Sequence, residues 1–530
     1  MLNFYRLEQD IIEQMQTAHV PGLALAIVRG PEVIYARGFG VTSVEDGGLP
    51  VTPQTLFRVG STAKPLTGTA IMRLVEAGRL DLDQPVSTYV PWLTFSQEGA
   101  IERVTLRLLM THRAGLPSAA EPFGWRDPDG LERFVRERIP CYPLIAPPGK
   151  VYSYSNPGID LAGYIAQVVG GKPFAELMQE LVFDPLEMRR TTFDPTVAMT
   201  YPLAQAHDLR RDGTLSVQHR FAENSADYPA GFALSTALDL ANFAIMHMQQ
   251  GRFHGRQLLA PALIAEMHRP QVDLYTVTGT GYGLTFITDT YKGQREVRHG
   301  GGISSFVSSL TMLPDAGIAV IILCNRFGIM LASIIHRIFD QLLDLPKVFP
   351  RPPVIEPDRS LWPRYTGSYL GPWTGLATIS VANDHLILDL QGQAIPLQAL
   401  RQDLYCGQKG EDEETISVGF IAEEHGPVQY ISVDTAICKR IERDPAFAPD
   451  PASWIAYTGT YAKAGLDTYI VRLEGDRLYI YSEVDDKEVI LVPVDTTRFV
   501  CEWGLFEFHM SGGRVTALTQ AGTWTFIRAG

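Results

Sequence analysis

The sequence predicts an α/β (α+β) domain with an antiparallel sheet and a helical lobe, followed by two small all-β antiparallel barrels of lipocalin-like type. Three observations carry this. β-type runs stand at both ends of the first 345 residues, with helical texture between them. A proline-rich stretch, "PKVFPRPPVIEP" (346–357), ends that segment, and short alternating strands follow it. The tail also repeats itself: "WPRYTGSY" begins at Trp362 and "WIAYTGTY" at Trp454, and the same offset aligns "VANDHLIL" from Val381 with "LEGDRLYI" from Leu473. The expected units are residues 1–345, a linker at 346–357, and β-domains at 358–445 and 451–530.

Taken in order, an amphipathic helix is expected over Leu7 to His19. "GLALAIVRG" and "EVIYARGFGV" read as a hairpin turning at Gly30-Pro31. "LFRVG" is extended, and from Ala63 the chain reads as an amphipathic helix with Ala70, Ile71, Leu74 and Val75 on one face. The lobe follows, in "TLRLLMTHRAG", "GLERFVRERI", "GIDLAGYIAQVVGGKPFAELMQELVF" and "STALDLANFAIMHMQQG". "YGLTFITD", "QREVRHGGG", "SFVSSLTML" and "GIAVIILCN" return as strands, and "LASIIHRIFDQLLDL" closes the domain as a helix.

At 530 residues, 45% hydrophobic and 20% charged, the chain can bury several cores. Its net charge of -14, without a basic run, argues against a nucleic-acid partner. The charged N-terminus lacks a secretory signal pattern. The longest apolar run, "AGIAVIILC", is too short to span a bilayer, so no membrane partner is expected. Five scattered cysteines without a CxxC pair fit a reducing compartment. The expectation is a cytoplasmic protein without metal or cofactor, and a homodimer is left open. His112, in "MTHRAG", has no partners at ligand spacing and reads as structural.

Within "FRVGSTAKPLTG", Ser61 and Lys64 lie three apart at a helix start, so they share a face. A cation there opposes the helix dipole. A serine hydroxyl needs a nearby base to become a nucleophile. Lysine serves only in its neutral form, which the helix N-terminus, burial and a second cation all favour. The same helix start points backbone N–H groups at the reacting atoms. Chance spacing is the alternative, but this Ser-x-x-Lys is the only one in the sequence. Tyr154 and Asn156, ahead of Pro157, read either as a helix entry capped by Asn156 or as a phenol and an amide facing Lys64. Gly300, Gly301 and Gly302, after His299, interrupt a strand pattern; they mark a flexible hairpin end, a bulge or a close backbone approach.

"STAK", "YSN" and "HGG" in that order resemble the serine β-lactamase and penicillin-binding-protein family, as do "PGLALAIVRG", "LLMTHRAGLP" and "PAGFALSTALDLANF". The resemblance spans about Leu7 to Leu345. It implies Ser61 as nucleophile, Lys64 as general base and Tyr154 as proton carrier to the leaving group. Asn156, His299, Gly300 and Gly301 would bind substrate, and the backbone N–H groups of Ser61 and Gly302 would form the oxyanion hole. Family lactamases and carboxypeptidases usually carry lysine where this chain has His299. A mostly neutral imidazole anchors a carboxylate weakly, which favours amides, peptide N-termini or esters. With its tail, the chain resembles the bacterial D-aminopeptidases, in which a loop from a C-terminal barrel reaches the site. "KGEDEE" (Lys409 to Glu414) and "EVDDKE" (Glu483 to Glu488) are the acidic candidates for that loop; solvated hairpin tips are the alternative. The expected function is therefore a serine peptidase or amidase of D-aminopeptidase type acting on a small molecule or short peptide. An esterase or β-lactamase on the same scaffold, and a non-catalytic binding protein, stay open.

Overall fold

The computed structural model describes residues 3–119, 123–346, 352–390, 392–410, 414–443, 447–463, 466–484 and 486–529. Residues 347–351 of the proline-rich linker, 411–413 of the first acidic segment and Asp485 of the second lie outside the described residues.

The catalytic domain is built on one eight-stranded antiparallel sheet. Its strands are β1 (Gly22–Arg29), β2 (Glu32–Gly40), β3 (Val272–Asp273), β4 (Gly281–Tyr282), β5 (Ile287–Tyr291), β6 (Gln294–Ile303), β7 (Phe306–Leu313) and β8 (Ile318–Cys324). They lie in the order β2-β1-β8-β7-β6-β5-β4-β3. The N-terminal hairpin thus completes a sheet begun by C-terminal strands, with Leu23 opposite Cys324 and Arg29 opposite Ile318. The alternation of side chains feeds two cores. Leu23, Leu25 and Ile27 pack with Val320 and Ile322 on one face, and Ala24, Ala26 and Val28 pack on the other. The first face is covered by α1 (Phe4–Thr17), whose Leu7, Ile11 and Met15 are buried, and by the closing helix Leu331–Leu343.

The second face carries α2 (Ala63–Glu76), α3 (Asn156–Gly170), the single turn α4 (Tyr228–Gly231) and α5 (Ala237–Met248). Here the expectation of an amphipathic α2 is corrected. Every residue from Ala63 to Met72 is buried, so the first ten residues of α2 are enclosed on all sides and only its last turn reaches the surface. Its polar side chains find internal partners: the Thr67 hydroxyl donates to Pro229 O and Thr69 to Pro65 O. "YGLTFITD" is also not one strand. It divides into β4 and β5 around Thr285, whose φ of 63° breaks the extended run. The glycines after His299 do not bulge: β6 pairs with β7 without a register shift from Val297 to Ile303, and the run lies at the hairpin end, one residue before the turn at Ser304 and Ser305.

Beyond Arg359 the chain forms two closed eight-stranded barrels. In the first, Gly367–Gly371 closes against Ala436–Ile441; in the second, Gly459–Lys463 closes against Trp524–Arg528. The sequence repeat is the barrel plug. A short helical turn buries Trp362 and Tyr365 in one barrel and Trp454 and Tyr457 in the other. The Tyr369 hydroxyl donates to Tyr365 O (2.6 Å), and Tyr461 donates to Tyr457 O (2.7 Å). Arg440 lies over the Tyr369 ring and Arg528 over Tyr461. Each interior is filled by its own aromatic and aliphatic side chains.

Both barrels are docked on the catalytic domain. Lys150 pairs with Glu423 and Asp273 with Arg401 at the first barrel, around a small apolar cluster of Ala146, Val151, Ile421 and Tyr430. At the second, Thr523 Oγ1 donates to Ser118 O and Arg211 pairs with Asp486 of the second acidic segment. No helix among the described residues is long and apolar enough to cross a membrane.

Candidate active site

Ser61 sits in a single 3₁₀ turn, Gly60–Thr62, between the short strand Phe57–Arg58 and α2. The strand is anchored by a buried ion pair: Arg58 Nη2 lies 2.8 Å from Glu223 Oε2, Arg58 Nη1 donates to Phe232 O, and Tyr228 donates to Glu223 Oε1. One turn on, Lys64 is fully buried. Its Nζ has three oxygen partners: Ser61 Oγ at 3.0 Å, Asn156 Oδ1 at 2.7 Å and Ala230 O at 2.7 Å. Two of these only accept. A neutral amine donates both N–H groups to Asn156 and Ala230, which turns its lone pair toward the Ser61 hydroxyl. The face of Tyr154 covers the group, with Nζ 4.8 Å from the ring centroid.

The loop before α3 divides its tasks differently from the capped-helix expectation. Ser155 is the N-cap, accepting from the Gly158 N–H at 3.1 Å. That releases the Asn156 side chain, which holds Lys64 through Oδ1 and donates from Nδ2 to Ala119 O.

His299 enters from β6, and it is not open to the cleft. It is buried, and both ring nitrogens are engaged. The chain of bonds fixes its tautomer. The Ser155 N–H donates to His112 Nδ1 (3.0 Å), leaving the His112 proton on Nε2, which donates to the Tyr282 hydroxyl (3.0 Å). Tyr282 then donates to His299 Nε2 (3.1 Å), and His299 Nδ1–H donates to Gly300 O (2.6 Å). Burial first, then the Lys64 charge, push His299 down to about 3. The same two causes hold His112 well below the usual histidine range, and burial raises Tyr282. His112 is structural, as its sequence context indicates, yet it braces the Tyr154–Asn156 loop directly. Its φ of 56° places it in the sparsely populated left-handed region. Tyr282 has no sequence signal beyond lying in a strand.

The glycine run lies against the 3₁₀ turn. A Cβ on Gly60, whose φ is +53°, would lie 2.6 Å from Gly302 N; one on Gly301 would lie 1.9 Å from Val59 O and 2.9 Å from Ser61 N. The end of β6 and the turn that carries Ser61 are therefore packed backbone to backbone. Gly300 differs: a Cβ there would meet only Ser308 O, at 3.6 Å. Ser61, Asn156, Asp227, Phe232, Ile303 and Phe327 line a cavity of about 300 Å³. A second cavity of about 270 Å³ lies beyond Tyr154. Tyr152 and Tyr154 form one wall, and turns of both barrels supply Trp373, Thr435 and Ala521. Among the described residues no group of three or more His, Cys, Asp or Glu is placed to hold a metal ion.

The Beta-lactamase family model matches residues 7–342. Penicillin-binding protein 4 of Amycolatopsis lactamdurans is 28% identical over 378 residues, covering 68% of this chain and 98% of its own. An unguisins hydrolase of Aspergillus campestris is 26% identical, over 64% of this chain and 66% of its own. The octameric penicillin-binding protein homologue from Pyrococcus abyssi superposes with a TM-score of 0.60 at 25% identity, over 83% of this chain and all of that one.

Proposed function

The chain belongs to the beta-lactamase family, and from that premise we propose that it is a serine hydrolase that cleaves amide bonds of small substrates through an acyl-enzyme, as a D-aminopeptidase or amidase. One observation carries the reading: Lys64 Nζ stands 3.0 Å from Ser61 Oγ with two carbonyl-type acceptors occupying its other hydrogen-bonding directions. Ser61 Oγ attacks the substrate carbonyl carbon while its proton passes to Lys64 Nζ. The tetrahedral oxyanion is received by the N–H groups of Ser61 and Gly302. Collapse breaks the C–N bond, and the departing nitrogen takes a proton delivered from Lys64 by way of Tyr154. Water then attacks the ester carbonyl, releasing the acid and returning the proton to Ser61. Asn156 holds Lys64 and lines the cleft beside the substrate.

The substrate class follows from charge. His299 is neutral, both its nitrogens are occupied, and among the described residues no lysine, arginine or histidine lines the Ser61 cavity. Such a site has no anchor for a carboxylate, and Phe232, Ile303 and Phe327 favour an apolar group. Hydrolysis of a D-alanine anilide, lost in Ser61→Ala, is the expected result. Turnover of p-nitrophenyl esters with no anilide cleavage would overturn the amidase reading in favour of an esterase.

A further inference from the structure

We propose that Asp160 and Asp227 form a carboxyl pair holding one shared proton, and that in this state Asp160 positions Lys64 through Ala230. The proposal rests on the reading of Ser61 and Lys64 as the reacting pair. Asp160 follows Asn156 by one turn of α3 and is fully buried. Its Oδ1 accepts from the Ala230 N–H at 3.1 Å. The carbonyl of that same Ala230 accepts from Lys64 Nζ. The short turn α4 is therefore gripped by α3 on one side and by α2 on the other. Thr67 adds a second bond from α2, to Pro229 O.

The other oxygen, Asp160 Oδ2, is buried and has no donor among the described residues. An ionised carboxylate left so would be strongly disfavoured. Its neighbour within hydrogen-bonding reach is the Asp227 carboxyl, itself only 6% exposed and accepting from Asn224 Nδ2 at 3.1 Å. Two buried carboxyls within hydrogen-bonding reach of each other share a proton, because both cannot ionise together. With the proton on Asp160, its O–H donates to Asp227 while Oδ1 keeps the Ala230 amide. Burial and then the Asp227 charge hold Asp160 well above the usual carboxylate range, against the opposite pull of Lys64. Asp227 and Lys64 are the charged groups that act on it among the described residues.

The test compares Asp160→Asn with Asp160→Leu in the full chain, by the rate of Ser61 labelling with a fluorophosphonate. Asparagine can donate to Asp227 and accept from Ala230; leucine can do neither. We expect D160N to label within about threefold of wild type. D160L should be slower by about 10- to 100-fold, the scale of a misplaced catalytic group. Equal loss in both variants would overturn the proposal, since it would mean that a charge is needed. No loss in either would overturn it too. Where D160L does not fold, the infrared difference between wild type and D160N at pH 7 decides. A carboxylic-acid C=O band supports the shared proton, and its absence refutes it. Wild type that takes no label would sink the reading of Ser61 instead, and the same band would still decide for or against the pair.

Discussion

Gly301→Ala is the smallest change that should separate β6 from the turn carrying Ser61. The added Cβ would lie 1.9 Å from Val59 O, 2.6 Å from Ser308 Oγ and 2.9 Å from Ser61 N. Two of these three atoms are backbone, so no rotamer change relieves them. An ordinary carbon–oxygen contact is about 3.3–3.6 Å, so the strand must retreat by roughly 1.4 Å. That carries the Gly302 N–H away from the Ser61 N–H. Loss of one oxyanion donor lowers turnover by about 10²- to 10³-fold. Overpacking of this kind destabilises by about 1–3 kcal/mol. Gly300→Ala is the internal control, because its Cβ meets only Ser308 O at 3.6 Å and its backbone is not in the left-handed region. Fluorophosphonate labelling rates and urea midpoints of the two variants are the assay. Wild-type labelling by G301A, or equal loss in G300A, would refute the reasoning.

Two further outcomes are expected. Tyr282→Phe removes the hydroxyl between His112 and His299 and strands a buried nitrogen on each, so the urea midpoint should fall by the equivalent of about 1–3 kcal/mol per ring; an unchanged midpoint would count against the relay. Acid should destabilise the native state through its buried neutral histidines: His299 and His268 are both pushed down to about 3, chiefly by burial, whereas an unfolded histidine titrates near 6.5. Lowered in the folded state, each contributes stability that is complete above pH 6.5 and is lost as pH falls toward 3, at up to about 1.4 kcal/mol per pH unit. His268→Gln should flatten the dependence of the urea midpoint between pH 7 and 4, and an unaltered slope would contradict the assignment.

Much of this was legible in the chain itself, for identifiable reasons. Ser61 and Lys64 share a helix face by geometry alone, and Tyr154 and Asn156 stand in the only Tyr-x-Asn of the sequence. The glycine run signals a close approach because three residues without a Cβ in a strand leave room for another backbone, although a hairpin end or a bulge would show the same pattern. The barrel repeat shows because each plug needs the same tryptophan and two tyrosines. What stayed hidden depends on long-range placement. Ala230 contributes a carbonyl, which every residue has, to a lysine 166 positions away. Asp160 lies on an apolar helix whose pattern gives no hint of Asp227 opposite it. The enclosure of α2 from Ala63 to Met72 is not legible in its pattern, because a core helix and an amphipathic one share the same few apolar positions. Trp373 approaches Tyr154 only because two barrels dock beside the cleft, with Trp373 edge-on to Trp524.

The role given to Lys64 is most directly tested by intact mass after incubation with a fluorophosphonate, on wild type, Ser61→Ala and Lys64→Ala. One adduct on wild type, none on S61A, and labelling of K64A slower by about 10²- to 10⁴-fold is the predicted result. A well-folded wild type that takes no adduct, or a K64A variant labelled as fast as wild type, would contradict it.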